Sequence, residues 1–253
     1  MGVYELMADA AVELDGVTYV YPDGSMALKA VKLRILEGER VGILGPNGAG
    51  KSTLLMLISG LFEPTEGIVR VFGAPPSRRG SRPIVGLGFQ DPNDQLFCPT
   101  LLEDVAFGPL NMGLPKEKAV ERAKEAIRAV GLGGLEDKPP HRLSVGEKKK
   151  ASLATVLAME PRVMALDEPT SNLDPKSRRE LAALLNELYG KLRFTFIVAT
   201  HDVNFACEVA ERAFILNGGE IVREGKLPEI LLDSKFVEEV GLEPPARFTS
   251  RKL

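Results

Sequence analysis

The run of apolar and polar positions along the chain changes period several times, and each change marks an element. "AVELDGVTYVY" alternates and is rich in β-branched and aromatic residues, which predicts a strand. "PDG" at 22–24 predicts a turn. "ALKAVKLRILEG" predicts a second strand, alternating from Val31 to Ile35. "RVGILG" is a short apolar strand running into a glycine-rich loop, and a helix is predicted from about Lys51 to Gly60. "GIVRVFG" and "IVGLGF" predict further strands.

From Leu101 to about Leu157 the pattern becomes helical. In "KEKAVERAKEAIRAVGL" the apolar residues fall at 119, 120, 123, 126, 127 and 130, one face of a helix. Beyond it, "RVMALDEP" predicts a buried strand, "KSRRELAALLNELYG" a helix, "RFTFIVAT" a strand and "DVNFACEVAER" a helix. "AFILNGGEIVREG" predicts a hairpin around Asn217-Gly218. The tail, "LPEILLDSKFVEEVGLEPPARFTSRKL", holds short helical patterns broken at Pro244-Pro245. Strands alternating with helices predict an α/β fold with a mostly parallel sheet and a helical lobe inserted between strands.

Composition narrows the picture. The 253 residues are 44% hydrophobic and 26% charged, which is globular. A net charge of −3 gives no bulk electrostatic case for nucleic acid. Cys98 and Cys207 have no partner spacing, so neither a disulfide framework nor a zinc site is expected. No apolar run reaches eighteen residues. The N-terminal "MGVYELMADAAVELDG" lacks the basic segment of a signal peptide, and Leu6 stands where myristoylation after Gly2 needs Ser or Thr.

"GPNGAGKST", Gly45-Pro46-Asn47-Gly48-Ala49-Gly50-Lys51-Ser52-Thr53, matches G-x-x-x-x-G-K-[ST] after a strand and before a helix. Glycines at such a turn let backbone N–H groups point at phosphate oxygens, and the helix N-terminus adds its positive end. Lys51 is expected on the β- and γ-phosphates and Ser52 on Mg²⁺. "VMALDEP" ends in two acids. Adjacent strand residues point to opposite sides, so Asp167 is expected to hold Mg²⁺, through water, and Glu168 to orient or deprotonate the attacking water. Without the phosphate loop, the same pair would read as a helix N-cap.

"LSVGEKKK", 143–150, has the S-x-x-E spacing of a capping box before an apolar run, and Lys148–Lys150 is read as a solvated helix face. A helix start of small residues can also place free N–H groups and the Ser144 hydroxyl on a phosphate.

Tyr21, the phosphate loop, Gln90 after "IVGLGF", "LSVGEKKK", "LDEP", "SNLD" and His201 after "FTFIVAT" come in an order that resembles the nucleotide-binding subunit of ATP-binding cassette (ABC) transporters, over residues 12 to 225. "FQDPNDQLF", "LSVGEKKK" and "GLEPP" look most like the ATPases of cobalt, nickel and other energy-coupling-factor importers. The resemblance implies a P-loop NTPase core with an N-terminal antiparallel β-subdomain. It divides the chain into an ATPase domain, 1–225 with the helical lobe at about 100–158, and a short extension, 226–253.

It further implies roles. Tyr21 would stack on adenine, although alone it reads as a core-facing strand aromatic. Gln90 would contact Mg²⁺ and the attacking water and respond to a membrane partner docked on the loop 91–97. His201 would reach the γ-phosphate, although alone it reads as a cap or surface histidine. Leu143-Ser144-Val145-Gly146-Glu147 would close over ATP bound to a second ATPase chain, identical or related, with Asp174 at that interface. Val145 and Glu147 depart from the commoner L-S-G-G-Q, and the capping box turns the Glu147 carboxylate back to its own backbone.

The implied function is ATP hydrolysis, with Mg²⁺, driving an importer of cobalt, nickel or a vitamin from the cytoplasmic side of the cell membrane. An integral membrane subunit and a separate substrate-binding membrane component would be its partners. A soluble ABC ATPase of an assembly complex is the alternative.

Overall fold

The computed structural model describes residues 10–76 and 84–245. The readings made on residues 1–9 and 246–253 lie outside the described residues.

In chain order the elements are β1 (Ala10–Val20), β2 (Met26–Leu36), β3 (Arg40–Leu44), α1 (Lys51–Ile58), β4 (Glu66–Val71), β5 (Val85–Gly88), α2 (Leu101–Asn111), α3 (Lys116–Ala129), α4 (Val145–Leu157), β6 (Val163–Asp167), α5 (Pro175–Leu192), β7 (Thr195–Thr200), α6 (Val203–Val209), β8 (Arg212–Asn217), β9 (Glu220–Lys226), α7 (Leu227–Leu231) and α8 (Ser234–Glu239). Three strands form an antiparallel sheet in the order β2-β1-β4. The other six form the main sheet, ordered β5-β6-β7-β3-β8-β9, parallel except where β9 returns against β8. The fold is thus the α/β architecture expected, with separate antiparallel strands at the N-terminal side.

The residue pattern accounts for this layering. Every residue of β6 and β7 is buried, as parallel strands covered on both faces require. β9, at the edge, alternates exposed and half-buried positions along its whole length. One apolar layer joins β1, β2 and α1 to one face of the main sheet, through residues such as Leu14, Ile35, Leu54, Val41 and Ile197. A second joins helices α2 to α6 to the other face through Val105, Ile127, Val156, Leu185 and Phe196. Residues of α7 and α8 (Leu227, Ile230, Leu231 and Val237) belong to this second layer, so the C-terminal helices pack onto the main core.

The helical stretch between β5 and β6 is α2, α3 and α4. Thr100 and Glu103 form a reciprocal capping box that starts α2, and Ala119, Ala123, Ala126 and Ile127 bury one face of α3. The predicted hairpin is present, with Gly218 and Gly219 at its tip between the paired Asn217 and Glu220. Two glycines at φ 56° and 82° supply the left-handed turn, one residue later than the Asn-Gly reading placed it.

Candidate active site

Parallel strands deliver their C-terminal ends to one edge of a sheet, where ligands of open α/β folds bind. Here β3 lies between β7 and β8, with Leu44 opposite Thr200 and Ile215. On β6, Asp167 lies opposite Ala199 of β7. The phosphate loop, Asp167-Glu168 and Thr200-His201 therefore leave neighbouring strands at one level, and Gln90 follows the end of β5 beside them.

The loop from Gly45 to Gly50 is shaped by close backbone approaches. A Cβ on Gly45 would stand 2.1 Å from the Leu216 carbonyl oxygen. Gly50 has φ +101°, and a Cβ there would stand 2.5 Å from the Ala27 carbonyl oxygen. Lys51 opens α1 and is buried; its Nζ donates to the carbonyls of Gly45 (2.8 Å) and Pro46 (3.0 Å). The same Nζ lies 3.2 Å from Glu168 Oε1. Ala49 and Thr53 are buried, while Asn47 and Gly48 are exposed at the rim. Tyr21 is half-buried, its hydroxyl 2.8 Å from Thr53 Oγ1 and its ring edge-on to Tyr19 and Phe62. It is therefore a packed aromatic that still borders the loop helix.

The two acids differ for a reason other than strand alternation. β6 ends at Asp167, and Glu168 has left the strand with φ +40°, in the left-handed region. That turn sends the Glu168 carboxylate to β7. Thr200 Oγ1 donates to Oε2 (2.8 Å), the His201 backbone N–H to Oε1 (3.1 Å), and His201 Nδ1 lies 3.0 Å from Oε1. Asp167 is 7% exposed, and its Oδ1 has no hydrogen-bond partner. Burial raises its pKa above the usual carboxylate value, and a hydrogen bond with the Ser52 side chain only partly opposes this.

This pairing suits a hard cation. A buried carboxylate with an unpartnered oxygen beside a hydroxyl suits Mg²⁺, which is held by one or two carboxylates together with substrate phosphates and water.

Residues 143–147, the signature stretch of the resemblance, form the expected capping box. Glu147 N–H donates to Ser144 Oγ (3.2 Å), and Ser144 N–H donates to Glu147 Oε2 (2.7 Å). The Ser144 backbone N–H, helped by Lys138 at 3.5 Å, holds the Glu147 carboxyl below its ordinary pKa. Leu143 is buried, Ser144 and Val145 are exposed, and Gly146 and Glu147 are half-buried. Asp174 caps α5, accepting from Lys176 and Ser177 N–H and from Ser177 Oγ.

The solvated reading of Lys148–Lys150 is corrected at its centre. Lys149 is 6% exposed, and its ammonium donates to the Gln90 carbonyl (2.6 Å), the Glu168 carbonyl (3.3 Å) and Ser171 Oγ (2.8 Å). Burial pushes its pKa down to about 8, against the attraction of Asp91, Asp167 and Glu168. Gln90 itself is exposed, so what the chain grips is its carbonyl. Residues that sequence reasoning missed are Lys149, Ser171, Thr200 and Gln95. A signal for part of this set was present: Lys149, Ser152 and Thr155 recur every three residues, a polar line that continues into the otherwise apolar end of α4.

Comparison with known proteins gives the family to which this fold belongs. Residues 28–171 match the family described as ABC transporter. The chain is 45% identical over 239 residues to the energy-coupling factor transporter ATP-binding protein EcfA of Methanocaldococcus jannaschii, covering 92% of this chain and 85% of the relative. It is 46% identical over 238 residues to EcfA of Carboxydothermus hydrogenoformans, covering 93% and 87%. Among solved structures, cbiO1 of Clostridium perfringens, part of the ABC transporter complex cbiONQ, superimposes with a TM-score of 0.81 at 36% identity, covering 97% of this chain and all of that one. An ATP-binding cassette solved as a dimer in a post-hydrolysis state with ADP and Pi gives 0.75 at 35% identity, over 85% of this chain and 98% of that one.

A phosphate loop, a buried acid pair and a capped signature helix on this fold define an ATPase cassette. The chain belongs to the ABC transporter family, as an ATP-hydrolysing subunit coupled to transport.

Proposed function

We propose that this chain is the ATPase of an energy-coupling-factor importer for cobalt, nickel or a vitamin, working at the cytoplasmic face of the cell membrane. Two ATPase chains, identical or related, close over ATP and reopen after hydrolysis. The observation that carries the reading is the gathering of Lys51, Asp167, Glu168 and His201 at one sheet edge, while Ser144 is exposed at the start of α4. The names of the relatives, EcfA and a subunit of cbiONQ, support the importer class over a soluble assembly ATPase.

In this reading Gly45 to Thr53 hold the triphosphate, with Tyr21 beside the adenine. Ser52, Asp167 and Gln90 would hold Mg²⁺, which would offset phosphate charge. Glu168 accepts a proton from, or orients, the attacking water, with His201 and Thr200 fixing its carboxylate. The Ser144 hydroxyl and the Gly146 N–H, with Leu143, Val145 and Glu147 shaping the turn, face the partner chain's ATP. Asp174 lies at that interface. Residues 1–225 form the ATPase domain and 226–253 an extension; within it, a Cβ on Gly241 would stand 3.5 Å from Pro46 Cβ, beside the phosphate loop.

An integral membrane subunit docks on the loop 91–97 beside α2, and a separate membrane component binds the substrate. Phe97 is 64% exposed and meets Phe107 edge-on at 5.0 Å, with Leu110 exposed nearby on α2. Such an apolar cluster suits a short helix of a membrane protein. Affinity purification of the chain from detergent-extracted membranes tests this. Recovery of a polytopic membrane subunit, lost on Phe97→Asp, is expected; recovery with soluble proteins alone would contradict it.

A further inference from the structure

The loop 89–97 is bound to α4 at both ends. At one end the Gln95 side chain accepts from Phe89 N–H (3.2 Å) and Ser152 Oγ (2.7 Å) and donates to Thr155 Oγ1 (2.6 Å). At the other, the Lys149 ammonium meets three acceptors, one for each of its N–H bonds. Those acceptors belong to three different segments: Gln90 after β5, Glu168 after β6, and Ser171 in the "SNLD" turn. Ser171 Oγ also approaches the Gln90 carbonyl, at 3.4 Å. Ser152 and Thr155 are as buried as Lys149, so the whole stripe is enclosed.

We propose that Lys149 is a positioning residue for hydrolysis, one that ties the backbones of Gln90 and Glu168 to the helix beginning at the signature stretch. The inference rests on the roles given above to Gln90 and Glu168 and adds a residue to which nothing so far assigns a part in the reaction. Its physical basis is that Glu168 stands at a left-handed φ, a conformation that neighbouring contacts must hold. Lys149 grips the carbonyl of that same residue. Because Lys149 rides on α4, a shift of the helical lobe carries Gln90 with it and moves the anchor of Glu168. The site then assembles only when the lobe is in register with the sheet, and the loop that meets the membrane subunit is part of that register.

Lys149→Met keeps the buried stem and deletes the ammonium. Steady-state ATPase kinetics of Lys149→Met, Ser171→Ala and Glu168→Gln with MgATP, each beside a nucleotide-binding titration, test the proposal. The expected result for Lys149→Met is a kcat roughly ten- to a hundred-fold lower, the size of effect that small misplacement of reacting groups produces. KM and ATP affinity should stay within about threefold, the signature of a loss confined to the transition state. Ser171→Ala, which removes one acceptor, should lower kcat by roughly two- to fivefold with the same unchanged KM, and it decides the matter if the methionine variant fails to fold.

A kcat near that of the parent in both Lys149→Met and Ser171→Ala would overturn the proposal, as would equal losses of kcat and ATP affinity. Normal turnover by Glu168→Gln would instead remove the underlying role of Glu168, a failure distinguishable from that of Lys149.

Discussion

Lys51 and Glu168 form an ion pair inside the site: Nζ stands 3.2 Å from Oε1, with 6% and 5% of the two side chains exposed. The lysine proposed to hold the phosphates is thus also the cation beside the proposed base. A γ-phosphate that takes up Lys51 leaves the Glu168 carboxylate to Thr200 and His201, which hold it toward β7. In the proposed mechanism, substrate binding and preparation of the base are linked through this one ammonium.

Glu168→Gln should retain ATP binding and lose turnover. The amide oxygen can accept from His201 N–H and the amide nitrogen can donate to Thr200 Oγ1, so the local geometry survives while the proton acceptor is gone. A loss of roughly a hundredfold or more in kcat is expected from removing a general base, read by steady-state phosphate release beside an unchanged nucleotide affinity.

Lys51→Ala should weaken nucleotide binding. Charged hydrogen bonds contribute about 1.5–3 kcal/mol each, which corresponds to roughly ten- to a hundredfold in Kd. Calorimetric titration with ATP checks this, and an unchanged Kd would separate the loop from the phosphates.

Much of this arrangement was legible in the chain, because its strongest signals are local. Gly45 to Thr53 needed only the neighbouring strand and helix, and the Ser144–Glu147 box needed only its own four residues. What escaped depends on segments brought together by the sheet. Thr200 reaches Glu168 only because β6 and β7 are paired in register. Lys149 looked solvated because it sits between two other lysines, and its three acceptors are contributed 59, 19 and 22 positions away in the chain. The backbone turn at Glu168 was likewise hidden, since a glutamate gives no signal for a left-handed φ.

Asp167→Asn should stabilise the nucleotide-free protein while removing Mg²⁺-dependent activity. The folded-state pKa of Asp167 is raised, so the folded chain binds the proton more readily than the unfolded one. Its contribution therefore favours folding at low pH and is lost as pH rises from the ordinary carboxylate value through the folded pKa. At neutral pH the buried charge weakens the fold, and the amide lifts that penalty. Calorimetry should show a Tm above the parent's at neutral pH, with a smaller difference from the parent as pH falls.

Glu147→Ala should cost about 0.5–1 kcal/mol by opening one side of the capping box, whereas Glu147→Gln, which can still reach the Ser144 N–H, should keep most of that stability. The sign of the pH effect is opposite to that of Asp167. The Glu147 pKa is lowered in the fold, so its contribution is present above the unfolded value and fades as pH falls through the folded one. Denaturant midpoints at neutral and acidic pH for the two variants check both statements.

The most direct test of the central claim, that the capped helix at Ser144 serves ATP bound to another chain, is the mass of Glu168→Gln in solution by light scattering, with and without MgATP. The same measurement is made on Glu168→Gln combined with Ser144→Arg. The account predicts a dimer that forms only with MgATP and disappears with the Ser144 change. An ATP-dependent dimer indifferent to Ser144→Arg would contradict it, leaving the stretch as a helix cap alone.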